Sequence, residues 1–171
     1  VVSYGTSLTK GIYLAKQANK PFAININISD PHKPFWFDGD PHGVSRIYTA
    51  EESPIPGFLF DDPAVRNELA LYYTSVRRAD DALGAILSAL QKSGQEENTI
   101  VVFLSDHGMP LPFAKTQLYH HSTRTPLMIR WPGVVTPGTV DDKHMVSAID
   151  FLPTFCEMIG ASLPDNQQGS S

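Results

Sequence analysis

An aspartate and a histidine stand side by side directly after an apolar run, and they are the clearest candidates for chemistry. Asp106 and His107 follow the run Thr99–Leu104, which is rich in β-branched residues. A carboxylate and an imidazole held there can both reach one metal ion if the chain turns sharply, and Gly108 permits such a turn. From spacing alone, an aspartate that caps a turn beside an ordinary histidine fits equally well.

Two further residues could bind an anion or donate a proton near that pair. Lys115 follows in the same loop, and its ammonium group is a point charge of the kind that binds a sulfate or phosphate oxygen. His32 follows a second apolar run, Phe22–Ile28, and could ligate a metal or donate a proton. The plain alternatives are a solvated lysine and a loop histidine bonded to the backbone. Three more histidines could approach the site: His120, His121 and His144.

Each cluster comes at the end of a predicted strand. Phe22–Ile28 alternates isoleucine with asparagine, and Thr99–Leu104 is unbroken, as expected for a strand covered on both faces. In open parallel sheets, ligands bind at the carboxyl ends of the strands, so we expect both clusters on one edge. A third strand is predicted at Pro126–Trp131, and the Pro- and Gly-rich residues 29–62 are predicted to form a long functional loop.

Three helices complete the predicted fold. One covers Leu8–Asn19, and a long one begins at Pro63 behind an aspartate cap and ends at Gly94. The long helix has one continuous apolar face: Val65, Leu69, Tyr72, Val76, Ala79, Leu83, Ile86 and Leu90. The last covers Val146–Ile159, and its inward residues are predicted to be Ile149, Leu152, Phe155 and Ile159. This order predicts an α/β fold with a mostly parallel sheet flanked by helices.

The composition of the chain limits the classes of molecule that it could bind. The chain has 171 residues, of which 42% are hydrophobic, and a formal charge of −5, which disfavours nucleic acid and anionic membrane surfaces. No apolar run approaches the roughly 20 residues of a membrane span. Cys156 is the one cysteine, so an internal disulfide is excluded. We expect a single domain in residues 1–162, followed by a polar, frayed tail, 163–171.

Four segments together resemble the sulfatase family. Residues 22–35 resemble the segment in which a strand delivers a substrate-binding histidine, and residues 105–116 resemble the segment with two metal ligands and a basic residue. Residues 124–133 and 147–154 are similar to the strand and helix that follow. The likeness covers about residues 10–162. The form Asp-His-Gly-x-Pro-x-Pro before Lys115 is most similar to the sulfamidase branch, which hydrolyses N-sulfated glucosamine of heparan-type glycans.

The resemblance implies an alkaline phosphatase-like domain that hydrolyses sulfuric esters or sulfamates of sulfated sugars. It implies that Asp106 and His107 bind a divalent cation, with calcium first and zinc or manganese as alternatives. It implies that His32 and Lys115 contact the sulfate group. It also implies a formylglycine nucleophile, made from the Cys or Ser of a Cys/Ser-x-Pro/Ala-x-Arg motif, and a periplasmic, secreted or lysosomal location.

The sequence departs from the family pattern. His107 stands where the sulfamidase branch more often has Asn, and Lys115 where it can have Arg. No nucleophile motif is present, because Cys156 precedes Glu-Met-Ile on a predicted inward helix face; the paired N-terminal metal-binding aspartates are absent as well. Since the sequence starts at Val1, we expect a trimmed C-terminal part of a catalytic domain. Alone, it should be inactive and self-associate through an uncovered strand edge.

Two other functions remain open at this stage. A zinc phosphodiesterase of the same superfamily would also suit Ser-Asp-His-Gly-Met, since a nitrogen ligand suits zinc or manganese better than calcium. A non-catalytic remnant that binds glycan or protein would also lack a nucleophile.

Overall fold

The computed structural model describes residues 2–171 and divides into two compact units, which meet in sequence between Val135 and Thr136. The first unit contains α1 (Val2–Gln17), α2 (Pro63–Lys92), a 3₁₀ turn (Glu96–Asn98), β1 (Val101–Leu104), α3 (His120–Thr123) and β2 (Leu127–Arg130). The second contains a 3₁₀ turn (Ala148–Asp150) followed by α4 (Phe151–Ile159). None of the helices in the described residues is long and apolar enough to cross a membrane.

Helix α2 begins and ends where the sequence predicts. The Asp62 carboxylate accepts a hydrogen bond from the Ala64 N–H at 2.8 Å, and proline occupies the first helical position, where its missing N–H costs nothing. After the last turn, Gly94 adopts a φ of +69°, the left-handed conformation that ends many helices. These two caps fix a helix of 30 residues, the longest element of the structure.

The predicted apolar face of α2 is wrong in the middle of the helix. Val76 is 37% exposed, whereas Thr74 and Ser75 are fully buried. The reason is that the loop covering this region brings backbone N–H groups, which need acceptors. Thr74 Oγ1 accepts from the Tyr48 N–H at 3.0 Å, and Ser75 Oγ accepts from the Trp36 N–H at 2.7 Å. The buried face of α2 is therefore polar at its centre and apolar towards both ends.

Helix α1 packs against the C-terminal half of α2. Leu8 and Ile12 of α1 meet Ile86 and Leu90 of α2 in a buried cluster. Gly5 allows the two helices to come close, since a Cβ at this position would lie only 3.1 Å from the carbonyl oxygen of Ala85. Helix α1 is thus confirmed, although it begins six residues before the predicted start at Leu8.

The strand predicted at Phe22–Ile28 is not present. The predicted alternation is correct in part: Ile26 and Ile28 pack on the α1–α2 core and Asn25 and Asn27 are exposed, but Ile24, predicted on the inner face, is 40% exposed. A strand also needs a hydrogen-bonded neighbour, and none pairs with this segment among residues 2–171. Its outer edge therefore carries unpaired backbone N–H and C=O groups.

The other two predicted strands form, but their pairing differs from the prediction. Strands β1 and β2 run antiparallel, with Val101 opposite Arg130 and Leu104 opposite Leu127. The mostly parallel sheet is not confirmed, because this pair is the whole sheet in the described residues. The expectation that both faces of the Thr99–Leu104 strand are covered is wrong at its end, where Leu104 is 43% exposed. Met128 and Ile129 of β2 are exposed as well.

The inward face predicted for the last helix is wrong. All four of its residues are exposed: Ile149, Leu152, Phe155 and Ile159. The chain instead folds back near the helix start, where the Ser170 N–H donates to the Asp150 carboxylate at 3.0 Å. Gly169 permits this approach, because a Cβ there would lie 2.1 Å from the carbonyl oxygen of Ile149. The tail expected to be frayed is therefore bonded to the α4 region.

Candidate functional site

Asp106 and His107 form a converging pair at the end of β1. The Nδ1–H of His107 donates to the carbonyl oxygen of Gly108 at 2.9 Å, which leaves Nε2 with the lone pair in the neutral ring. That atom lies 3.4 Å from Oδ2 of Asp106. Two ligands about 2.3 Å from one cation and about 90° apart lie roughly this far from each other. The geometry therefore suits two ligands of a single metal ion.

Asp106 and His107 alone do not make a complete metal site. Within residues 2–171, no group of three or more His, Cys, Asp or Glu side chains is placed to hold a metal ion. Calcium takes six to eight oxygen ligands, and structural zinc takes four ligands. The Asp106 side chain is 84% exposed, so the open side of the pair is accessible to further ligands.

Gly108 is needed at the site, but for a different reason from the one predicted. It does not adopt a positive φ; instead, a Cβ there would lie 1.9 Å from the carbonyl oxygen of His121. The Gly108 N–H also donates to the carbonyl oxygen of Ser122 at 2.9 Å. The absence of a side chain thus lets α3 pack directly against the turn that holds His107.

That packing places the backbone of His121, one of the additional histidines, beside Gly108. The His121 ring stacks on Phe58, with centroids 4.0 Å apart and planes at 23°, and His120 lies next to it. In the second unit, His144 pairs with Asp141 through a contact of 2.7 Å. A role for these three histidines stays a prediction.

Lys115 is held by a loop that closes on itself. Its backbone N–H donates to the carbonyl oxygen of Met109 at 3.0 Å, and positive φ angles at Phe113 and Thr116, 64° and 67°, turn the chain on either side. The ammonium group forms no hydrogen bond or ion pair with any other residue in the described part of the chain. It borders a shallow open depression with Pro110 and Gln117, so it is available to an anion.

His32 lies in an exposed turn that fixes its ring. Its Nδ1–H donates to the carbonyl oxygen of Lys33 at 2.6 Å, and its backbone N–H donates to Ser29 at 2.9 Å. The outward atom is Nε2, which is an acceptor in the neutral ring and a donor when the ring is protonated. Across the described residues, no hydrogen bond joins His32 to Asp106 or Lys115.

A shared apolar cluster connects the two segments that carry these residues. Phe35 comes three residues after His32, and Leu111 lies between the metal pair and Lys115. Both are buried against Leu69 of α2, which is fully enclosed. Phe35 and Leu111 both have apolar neighbours in their Pro-rich loops, so nothing in the sequence singled them out as the residues that join the two segments.

A profile of the Sulfatase family matches residues 6–161. The chain belongs to the sulfatase family. It is similar to human N-sulphoglucosamine sulphohydrolase, with 29% identity over 170 residues, which cover 89% of this chain and 34% of that enzyme. It is also similar to the N-acetylglucosamine-6-O-sulfatase of Bacteroides thetaiotaomicron, with 35% identity over 168 residues, which cover 96% of this chain and 29% of that enzyme.

The fold agrees with this assignment. The solved structure of a putative sulfatase from Bacteroides fragilis superimposes with a TM-score of 0.75 and 26% identity, over 98% of this chain and 38% of the other. This sulfatase chain therefore spans about a third of the length of the relatives it matches. Sulfatases generally use a divalent cation and a formylglycine nucleophile.

One further interaction of this sulfatase chain lies beside His32. The Arg78 guanidinium donates from Nε and Nη2 to the two carboxylate oxygens of Asp30, both at 2.7 Å, and from Nη1 to Asp40 at 2.5 Å. A backbone hydrogen bond from His42, followed by the bond from Arg78, lowers the pKa of Asp40 below its ordinary value, although burial opposes this. Position 78 lies outside the predicted apolar stripe of α2, so no signal in the sequence pointed to this interaction.

Proposed function

We propose that this chain is part of the catalytic domain of an enzyme that hydrolyses sulfate esters or sulfamates on sulfated sugars. The observation that carries the proposal is the shared cluster of Phe35, Leu69 and Leu111, which fixes the His32 segment and the Lys115 segment on one helix. Both relatives named above are sulfatases of glucosamine derivatives, which supports a sulfated amino sugar as the substrate.

Lys115 and His32 are the proposed contacts to the sulfate group. An unpaired ammonium at the rim of an open depression is a strong attractor for an anion, since nothing in the chain competes for it. The protonated ring of His32 presents an N–H at Nε2, because its other N–H is already bonded to Lys33. Together they would stabilise negative charge on sulfate oxygens as the bond to sulfur breaks.

Asp106 and His107 are the proposed ligands of the divalent cation. When bound, such a cation supplies a fixed positive charge next to the reacting sulfate. We propose calcium; the nitrogen ligand His107 is the observation that keeps zinc or manganese, and with them phosphodiesterase chemistry, as the second candidate. Elemental analysis of the intact protein separates the two: one equivalent of calcium supports the sulfatase, and one of zinc supports the phosphodiesterase.

The remaining metal ligands and the nucleophile are proposed to come from a complementary part of the catalytic domain. Three observations support this. Within residues 2–171 the proposed site offers two metal ligands and segment 22–28 has no paired strand, and the β1–β2 pair exposes Leu104, Met128 and Ile129. Such edges and patches attract other chains. Without the complementary part, we propose that a second copy of the chain covers them.

The function is tested by replacing Lys115 in the intact protein. With an aryl sulfate and N-sulfated glucosamine as substrates, Lys115→Met should lower kcat/KM by about 10²-fold or more, because charge stabilisation of the transferring group is lost while side-chain size is kept. Lys92→Met, at the exposed end of α2, is the matched control and should change the rate less than about twofold. Activity of Lys115→Met within about threefold of wild type would remove Lys115 from the site.

A further inference from the structure

We infer that Arg78 is a positioning residue that fixes His32 for catalysis, an inference that rests on the proposed sulfatase function. Arg78 does not bind His32 directly. It holds both ends of the segment that contains His32, residues 30–40, against the rigid helix α2. Its action on the substrate would therefore pass through the orientation of His32.

The contacts are those of a buried clamp. The side chains are 11% exposed for Arg78, 15% for Asp30 and 7% for Asp40, so water screens these pairs little. Asp30 is engaged by two parallel hydrogen bonds, the geometry in which a planar guanidinium fixes direction as well as distance. Asp30 lies two residues before His32, so the direction of that carboxylate constrains the turn carrying the imidazole.

The segment needs an external anchor because it has no secondary structure of its own. Residues 18–62 form no helix or strand. Between its two clamped ends, the segment touches α2 through Phe35, which packs on Leu69, through the Trp36 N–H, which donates to Ser75, and through Lys33, which pairs with Glu68. Glu68 and its partner are about half exposed, and such pairs contribute little. Arg78 supplies the charged contact that is well enough buried to fix the segment.

The alternative is that Arg78 forms a structural ion pair whose loss destabilises the fold without affecting His32. Two measurements on the intact protein separate these possibilities. Arg78→Met removes the ion-pair partner of two largely buried carboxylates and could unfold the protein. Each measurement is therefore repeated with Arg78→Lys, which keeps the positive charge but cannot form the two parallel hydrogen bonds of a guanidinium. The matched control is Arg66→Met. Arg66 of α2 also binds an aspartate, Asp61, through two hydrogen bonds, and Asp61 lies far along the chain from His32.

The first measurement is amide hydrogen exchange and does not require activity. Arg78→Lys should speed exchange in residues 30–40 by about tenfold or more relative to Arg66→Met, with the rest of the protein unchanged. Unchanged exchange in residues 30–40 would overturn the clamp, whatever the catalytic activity of the variant. Faster exchange in a protein that hydrolyses no sulfate would support the clamp and refute the proposed function instead.

The second measurement is a double-mutant cycle with His32→Ala. If Arg78 acts through His32, then Arg78→Lys should lower kcat about tenfold, with little change in KM, when His32 is present, and by less than about twofold when His32 is alanine. Equal losses in the two backgrounds would show that Arg78 acts independently of His32 and would overturn the positioning role. Arg66→Met should have no effect in either background.

Discussion

Leu69→Ala is the sharpest test of how the two site segments are held together. Leu69 is fully buried beneath Phe35 and Leu111, so the substitution removes three enclosed carbon atoms from the cluster. Transfer alone predicts a loss of about 2.4 kcal/mol at roughly 0.8 per carbon, and the remaining cavity raises the expected loss to about 3–5 kcal/mol. The neighbouring Leu71 is 38% exposed, so Leu71→Ala is the control and should cost less than about 1 kcal/mol.

Hydrogen exchange in the intact protein measures this loss of stability within the two site segments. A loss of about 3 kcal/mol corresponds to exchange that is more than about 100-fold faster in amides exposed by local opening. The segments around Phe35 and Leu111 should both accelerate, because one side chain supports both. Trp36, next to Phe35, should also change its fluorescence emission. Acceleration in one segment only, or an effect no larger than that of Leu71→Ala, would refute the idea that the cluster couples them.

Three other predictions concern acid, metal and association. The pKa of Asp40 is lowered in the folded protein, so its stabilising contribution is complete above the ordinary carboxyl pKa of about 3.9 and is lost as pH falls through the lower folded value. Trp36 emission should therefore change only below about pH 4, and Asp40→Asn should abolish that change; loosening at pH 6 would contradict this. The 171-residue chain alone should bind calcium weakly, since Asp106 and His107 are two ligands of the six or more it needs; a tight stoichiometric site in calorimetry would show otherwise. Light scattering of the same chain at micromolar concentration should reveal a dimer or larger species, whereas a clean monomer would mean that its exposed edges are already protected.

Local signals predicted the helices better than the sheet. The cap at Asp62 and the glycine at position 94 are decided within a few residues of chain, so the sequence carries them. Strand pairing is decided by a partner that can lie anywhere. The alternation of Phe22–Ile28 therefore identified Ile26 and Ile28 as inward residues, but could not reveal that the segment has no paired strand in the described residues.

The residue types of the candidate site could be predicted from the sequence, but their surroundings could not. Asp106 and His107 were candidates because they follow an apolar run, a pattern that a turn-capping aspartate beside an ordinary histidine fits equally well; the structure places Asp106 Oδ2 3.4 Å from His107 Nε2. The residues around them gave weaker signals, because a buried arginine or a buried loop phenylalanine is informative only once its neighbours are known. Arg78 and Phe35 became visible through contacts with residues more than 30 positions away.

The way the loop lies along α2 makes the length of that helix a determinant of the site. Glu68, Ser75 and Arg78 contact the His32 segment from one face of α2, and Leu69 contacts it from the adjoining face. One inserted residue rotates everything beyond it by about 100° around the helix axis. An insertion between Leu69 and Ser75 would leave Phe35 seated while carrying Arg78 away from Asp30. Homologous sequences should therefore vary in length within residues 43–62, where the chain can bulge outward, and keep the spacing from Glu68 to Arg78 free of gaps.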